Sequence, residues 1–261
     1  MQQDDERQNE YDDVFVTRLQ LIWGEGFLSP GGPEEVRRMV KGLSIAEREV
    51  LDIGCGIGGV DVLLATDHRA KRVLGVDVER PLLIRAEERV RQLGLSDRIQ
   101  FRLVALGSLP LDDASFDVVF SKDAMMHIPD KRAMFADVYR ILRPGGVLVA
   151  SDWLKSPASQ TPALDAYREA AEYSAKMVSP EATEQWLQDA GFESVELRDI
   201  TDWLLPDSRK THERICGELK ERATELIGQQ RYERWVRISQ TLIGSLEARE
   251  LRPVHLVAQK A

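Results

Sequence analysis

Val50-Leu51-Asp52-Ile53 is an apolar run that passes without a break into Gly54-Cys55-Gly56-Ile57-Gly58-Gly59, and a helical pattern from Val60 to Asp67 follows. A strand that ends on glycines and reopens as a helix is the first unit of a parallel α/β sheet, with a crevice at the strand's carboxyl end. Glycines reach positive φ without a Cβ clash and let the main chain approach a ligand, while the helix start offers unpaired N–H groups. The loop is therefore read as a nucleoside site. Gly54, Gly56 and Gly59 also satisfy G-x-G-x-x-G, so the loop alone leaves a dinucleotide open.

Two acids separate these cases. Asp52 lies at the end of the strand, ahead of the first glycine, where its charge repels a pyrophosphate but attracts an ammonium such as the methionine end of S-adenosylmethionine. Arg72-Val73-Leu74-Gly75-Val76 reads as a second strand and ends in Asp77, where an acid accepts hydrogen bonds from ribose hydroxyls in either class of site.

Strand and helix patterns alternate after residue 49, which predicts an α/β core with a sheet covered on both faces. Strands are expected at 49–53, 72–76, 99–104, 116–120, 146–151, 194–200 and 254–259, with helices between them, notably 81–93 and 131–142. Pro144-Gly145-Gly146 reads as a stop and turn before the fifth strand. Ser179-Pro180-Glu181 opens a helix with a cap residue, a proline and an early acid. Ile215, Leu219 and Leu226 share one helical face, and Trp235, Ile238, Leu242 and Leu246 share another; both read as core stripes. Residues 1–32 are expected to form a tail and a lid, with Tyr11 to Gly32 folding over the bound cofactor. Residues 33–261 are read as one domain with helical lid insertions at about 154–190 and 207–248.

The formal net charge of −9 argues against a nucleic-acid or anionic membrane partner and favours a small-molecule substrate. Cys55 and Cys216 have no metal spacing, no metal is implied, and two cysteines without a disulfide framework suit a reducing cytoplasm. No apolar run reaches the ~18 residues of a membrane span, and Met1 to Glu10 is polar and acidic, unlike a signal peptide.

With these residues in view, the chain resembles the class I S-adenosylmethionine-dependent methyltransferases. It is most similar to the phosphoethanolamine N-methyltransferases and their relatives acting on glycine, sarcosine and similar amines. The specific segments are Trp23-Gly24-Glu25-Gly26-Phe27-Leu28-Ser29-Pro30-Gly31-Gly32, the loop from Asp52 to Gly59, and Ser121-Lys122-Asp123-Ala124-Met125-Met126-His127. The resemblance implies a Rossmann-like, seven-stranded, mostly parallel sheet with the last strand antiparallel. It implies that Asp52, Gly54 and Gly56 hold the methionine end of the cofactor and that Asp77 and Val78 hold the ribose and adenine edge. Ala105 and Leu106 are assigned to the adenine side, and Ser121 to the cofactor.

For the substrate, the resemblance implies His127 and Asp123 as catalytic residues. The sequence departs from the family at Leu19 and Phe27, where those enzymes have tyrosines, at Trp153, which replaces another tyrosine, and at 172–175, where the lid arginine is not placed. A pocket with fewer phosphate donors holds a dianion poorly, so a carboxylated or neutral amine is an equal expectation. An aliphatic amine with a pKa near ~10 is protonated at neutral pH and has no lone pair, which assigns proton removal to His127. Asp123 is expected to hold the substrate cation or to orient His127. Trp23, Phe27 and Trp153 are expected to wall a pocket for a methylated ammonium, whose attraction to a ring face is worth ~0.5–2 kcal/mol. The expected reaction is methyl transfer from S-adenosylmethionine to a phosphoethanolamine-like, glycine- or sarcosine-like, or histidine-derived amine. The alternative is O- or C-methylation of a secondary metabolite.

Overall fold

The computed structural model describes residues 13–172 and 175–261. The tail expected over 1–10, and the Tyr173-Ser174 part of the segment compared with the family's lid, lie outside the described residues.

Seven strands, β1 (Glu49–Ile53), β2 (Arg72–Asp77), β3 (Ile99–Leu103), β4 (Phe116–Lys122), β5 (Leu142–Lys155), β6 (Ser194–Asp199) and β7 (Leu251–Gln259), form one sheet in the order β3-β2-β1-β4-β5-β7-β6. β1 to β5 pair in parallel. β7 inserts antiparallel between β5 and β6, as the resemblance implied. The chain order reverses between β1 and β4, and open α/β sheets bind ligands at the carboxyl ends of the strands where this happens.

The helices are α1 (Asp13–Trp23), α2 (Gly32–Met39), α3 (Gly59–Thr66), α4 (Arg80–Gln92), α5 (Lys131–Ile141), α6 (Pro162–Ala171), α7 (Pro180–Asp189), α8 (Thr201–Cys216), α9 (Lys220–Ile227) and α10 (Gln229–Glu247). Strand alternation divides the core. Leu51 and Ile53 point into a layer with Met134, Phe135 and Val138 of α5, whereas Val50 points into one with Val36, Val60 and Leu64 of α2 and α3. Ser179 caps α7 by accepting from the Ala182 N–H, as its sequence predicts.

Two expectations are corrected. Pro144-Gly145-Gly146 does not precede β5 but lies within it. Leu142 already pairs with Phe116, the register shifts between Phe116 and Val118, and Gly145 absorbs the irregularity at φ +75°. The Ile215–Leu226 stripe is split between two helices, because α8 ends at Cys216 and α9 starts at Lys220; Gly217 carries the break.

The N-terminal segment crosses the glycine loop. The Gly26 carbonyl lies 2.2 Å from where a Cβ on Gly59 would stand, and Leu28 lies 3.2 Å from the corresponding point on Gly56. Arg89 on α4 anchors it by donating to Glu25 at 2.9 Å and to Gln20 at 3.2 Å. The segment is also part of the core, since Val16, Leu19, Ile22 and Phe27 are buried.

Candidate active site

The loop after β1 is tied down by main-chain bonds. The Gly54 and Cys55 amides both donate to the Val76 carbonyl, at 2.8 and 3.2 Å. Gly54 has φ +77°, and a Cβ there would stand 2.2 Å from Cβ of Ala124. That glycine lets the β1 loop and the β4 loop touch, which no larger residue permits.

Asp77 closes the floor. Its carboxylate accepts from the Gly56 amide at 2.8 Å and from the Glu79 amide at 2.9 Å. Burial raises its pKa, opposed by these main-chain bonds and by the charge of His127. Beside it, Val78 and Leu106 are 41% and 40% exposed, forming an apolar rim at the ends of β2 and β3; Ala105 is exposed as well.

Asp52 is 1% exposed, and its side chain lies against that of Asp61 on α3. Apart from the N–H of Asp61 itself, neither carboxyl has another hydrogen-bond partner among the described residues. Burial, then the charge of Asp61, pushes Asp52 well above the usual carboxylate range. Ser121 is fully buried and donates to the Ile53 carbonyl at 2.9 Å, so its hydroxyl joins β4 to β1 beneath the loop.

Asp123 adopts φ +54°, and both its oxygens are engaged. One accepts from Ser151 Oγ at 2.8 Å and Trp153 Nε1 at 2.9 Å; the other meets Lys122 Nζ at 2.6 Å. Burial acts to raise the Asp123 pKa, but the charge and hydrogen bond of Lys122, with the Ser151 and Ser29 bonds, hold it below its usual value. Lys122 also reaches Glu35 at 2.6 Å, Ser29 Oγ at 2.8 Å and the Pro30 carbonyl at 2.7 Å. One buried ammonium thus pins the N-terminal segment, α2 and the β4 loop together.

His127 ends a one-turn 3₁₀ helix, Met125–His127, and is exposed. Lys131 Nζ donates to the carbonyls of Met125 at 2.7 Å and Ile128 at 3.3 Å. Asp152 lies under the same turn. Burial pushes its carboxyl up to about 7, against the charge of Lys131 and main-chain bonds from Trp153 and Met126.

The fold therefore brings Asp52, Gly54, Gly56, Asp77 and Val78 together at the carboxyl ends of β1 and β2, where the charge of His127 acts on Asp77. Trp153, buried among Met126, Leu164 and Met177, adjoins the His127 turn. Phe27 packs instead with Val36 and Met39, and half-buried Trp23 packs at the edges of two core clusters. Sequence reasoning missed Asp61, Glu35, Lys131 and Asp152. The available signal was a charge set in an apolar run, as in Gly59-Val60-Asp61-Val62-Leu63-Leu64.

The residues fit a cationic nucleoside. Buried Asp52 at the end of β1 lacks a hydrogen-bond donor, the glycine loop follows it, and an exposed apolar rim suits a base. A sheet in this order with a glycine loop at its reversal defines the class I methyltransferase fold.

Residues 51–150 match the family described as methyltransferase domain. Phosphoethanolamine N-methyltransferase 1 of Arabidopsis thaliana is 32% identical over 210 residues, 80% of this chain and 42% of that protein. The chain thus spans about two fifths of the plant relatives it matches. 27-O-demethylrifamycin SV methyltransferase of Amycolatopsis mediterranei is 30% identical over 235 residues, 85% of this chain and 86% of its own length. The solved phosphoethanolamine N-methyltransferase 2 of Haemonchus contortus, in complex with phosphomonomethylethanolamine and S-adenosylhomocysteine, superposes with a TM-score of 0.88 at 26% identity. That match covers 97% of this chain and 59% of that one. The chain belongs to the S-adenosylmethionine-dependent methyltransferases.

Proposed function

We propose that the chain transfers a methyl group from S-adenosylmethionine to the nitrogen of a small polar amine or amino acid. The observation that carries this reading is the contact of Gly54 with Ala124, which sets the cofactor loop directly against the turn bearing His127. The likeness to phosphoethanolamine N-methyltransferases across 80% of the chain supports nitrogen as the acceptor and S-adenosylmethionine as the donor.

The cofactor, when bound, supplies an electrophilic methyl on a sulfonium. Asp77 retains acceptor capacity for ribose hydroxyls beyond its two main-chain bonds. Val78 and Leu106 shield the base from water. His127, exposed at the crevice, takes the ammonium proton at its imidazole nitrogen and frees the amine lone pair. Lys131 and Asp152 hold the turn that aims it. Asp123 acts in this reading through Trp153 and Ser151, orienting the pocket wall, since its oxygens already have partners. The N-terminal segment over the loop excludes water from the charges. No helix among the described residues is long and apolar enough to cross a membrane, and a cytoplasmic location is part of the proposal.

A second reading, O-methylation of a secondary metabolite, is favoured by the near end-to-end match to the rifamycin enzyme. Assay of S-adenosylhomocysteine release against a panel of small amines, amino acids and hydroxylated macrocycles separates the two. Product from amines supports the first reading, and product from hydroxyl substrates alone replaces it with the second. His127→Ala is expected to lower kcat at least 100-fold while changing S-adenosylmethionine affinity less than about threefold.

A further inference from the structure

We propose that Asp61, on the first turn of α3, shares a single proton with Asp52, and that a cationic nucleoside entering the glycine loop expels it. Asp61 is then a positioning residue that sets the charge Asp52 presents. The inference rests on reading the loop as the S-adenosylmethionine site.

Asp52 stands opposite Gly75 on the neighbouring strand. Asp61 Oδ1 lies 2.7 Å from the point where a Cβ on Gly75 would stand. The absent side chain at Gly75 leaves room for the Asp61 carboxyl beside Asp52 and for the Phe101 ring, which lies 2.7 Å from the same point. Asp61 and Asp52 are 0% and 1% exposed, and apart from each other and the N–H of Asp61 itself their four oxygens meet no hydrogen-bond donor among the described residues. Two carboxylates side by side in a sealed space do not both ionise; one proton between them supplies the missing hydrogen bond.

The surroundings deepen the effect. Asp77 from β2 adds its negative charge to both acids, and the charge of His127 acts on Asp77. Cys55, in the loop above, is buried and feels all three acids. The Asp61 carboxyl is pushed up to about 7, chiefly by burial, against its own N–H at the helix start and the bond from Asp52.

A bound ammonium or sulfonium supplies the positive charge that the proton supplied before. The proton passes to solvent, the pair goes from one negative charge to two, and no other bond changes. Affinity for the cation must then rise with pH until the pair is already ionised.

The test is calorimetric titration of the full chain with S-adenosylmethionine at pH 6.5, in two buffers of different ionisation enthalpy. Release of about 0.3 to 1 proton per cofactor is expected, with affinity rising by up to about tenfold per pH unit. Asp61→Asn, whose amide donates to Asp52, is expected to bind cofactor without proton release, and Gly75→Ala to reduce the release by displacing the acid. An infrared difference spectrum of the unaltered protein serves as a second measurement. The stretching band of a buried protonated carboxyl is expected to disappear when S-adenosylmethionine is added. Saturable binding with identical heats in both buffers, or proton release retained in Asp61→Asn, overturns the inference and leaves the cofactor assignment standing. Absence of binding by either S-adenosylmethionine or S-adenosylhomocysteine overturns both.

Discussion

Replacing Lys122 by methionine tests whether one buried cation holds the N-terminal segment onto the catalytic loops. The ammonium and the two carboxylates it touches are 3%, 3% and 5% exposed in their side chains, each contact being 2.6 Å. Methionine fills similar space but leaves Glu35 and Asp123 charged and facing each other's field without a cation. Breaking a buried pair in this way costs about 3–5 kcal/mol, against a total stability of about 5–15 kcal/mol for a domain. The sign with pH follows from the directions of shift. Asp123 is held below the ordinary aspartate value of 3.8, so its contribution is present above that value and is lost as pH falls through its folded pKa. Lys122 is held above 10.5, so its contribution is complete below that value and is lost as pH rises through its own folded pKa. At pH 8 the wild-type network is therefore intact and the variant carries the full deficit. At pH 4.5 Asp123 of the variant, freed from the charge and hydrogen bond that held its carboxyl down, takes up protons and the deficit shrinks. Urea unfolding followed by tryptophan fluorescence at the two pH values measures this. A variant within about 0.5 kcal/mol of wild type at pH 8, where only surface-like effects are expected, would refute the reasoning. A deficit that does not change with pH would do the same.

Gly54→Ala places a methyl group 2.2 Å from Ala124 at φ +77° and is expected to cost about 1–3 kcal/mol. Calorimetry should show at least tenfold weaker binding of S-adenosylhomocysteine, and unchanged affinity would disprove the role of that contact. Asp152 keeps its proton up to about 7 when folded, so its stabilising share is present at acid pH and lost as pH rises through that value. Thermal melts of wild type from pH 5 to pH 8 should fall more steeply than those of Asp152→Asn, and parallel curves would count against the shift. Trp153→Phe removes the indole donor to Asp123 and is expected to cost about 1.5–3 kcal/mol, the range for a hydrogen bond to a charged group. Denaturant unfolding with no change in midpoint would exclude it.

How much of this was legible in advance depends on the distance over which each interaction acts. The glycines at 54, 56 and 58, all at positive φ, follow from local backbone sterics, and Ser179 caps its helix within three residues. The alternation of apolar positions in β1 to β4 locates the strands to within two residues, because strand pleating is itself local. The extension of β5 back to Leu142 was not legible, since it depends on pairing with Phe116 across the sheet. Phe27 illustrates the same limit. Its aromatic ring suggested a pocket wall, but packing against Val36 and Met39 is decided by where α2 docks.

Read alone, the chain determined its fold class, its cofactor loop and the two loops that carry polar chemistry, because each is written in contiguous residues with a fixed period or a required φ. Only the tertiary structure decided which charges meet. Lys122 with Glu35, Asp52 with Asp61, and Asp123 with Trp153 are 87, 9 and 30 residues apart, and their pairing sets pKa values through burial that no neighbouring residue encodes. Electrostatic energy depends on distance and desolvation in space, so the ionisation of this site became readable only once the sheet had been assembled.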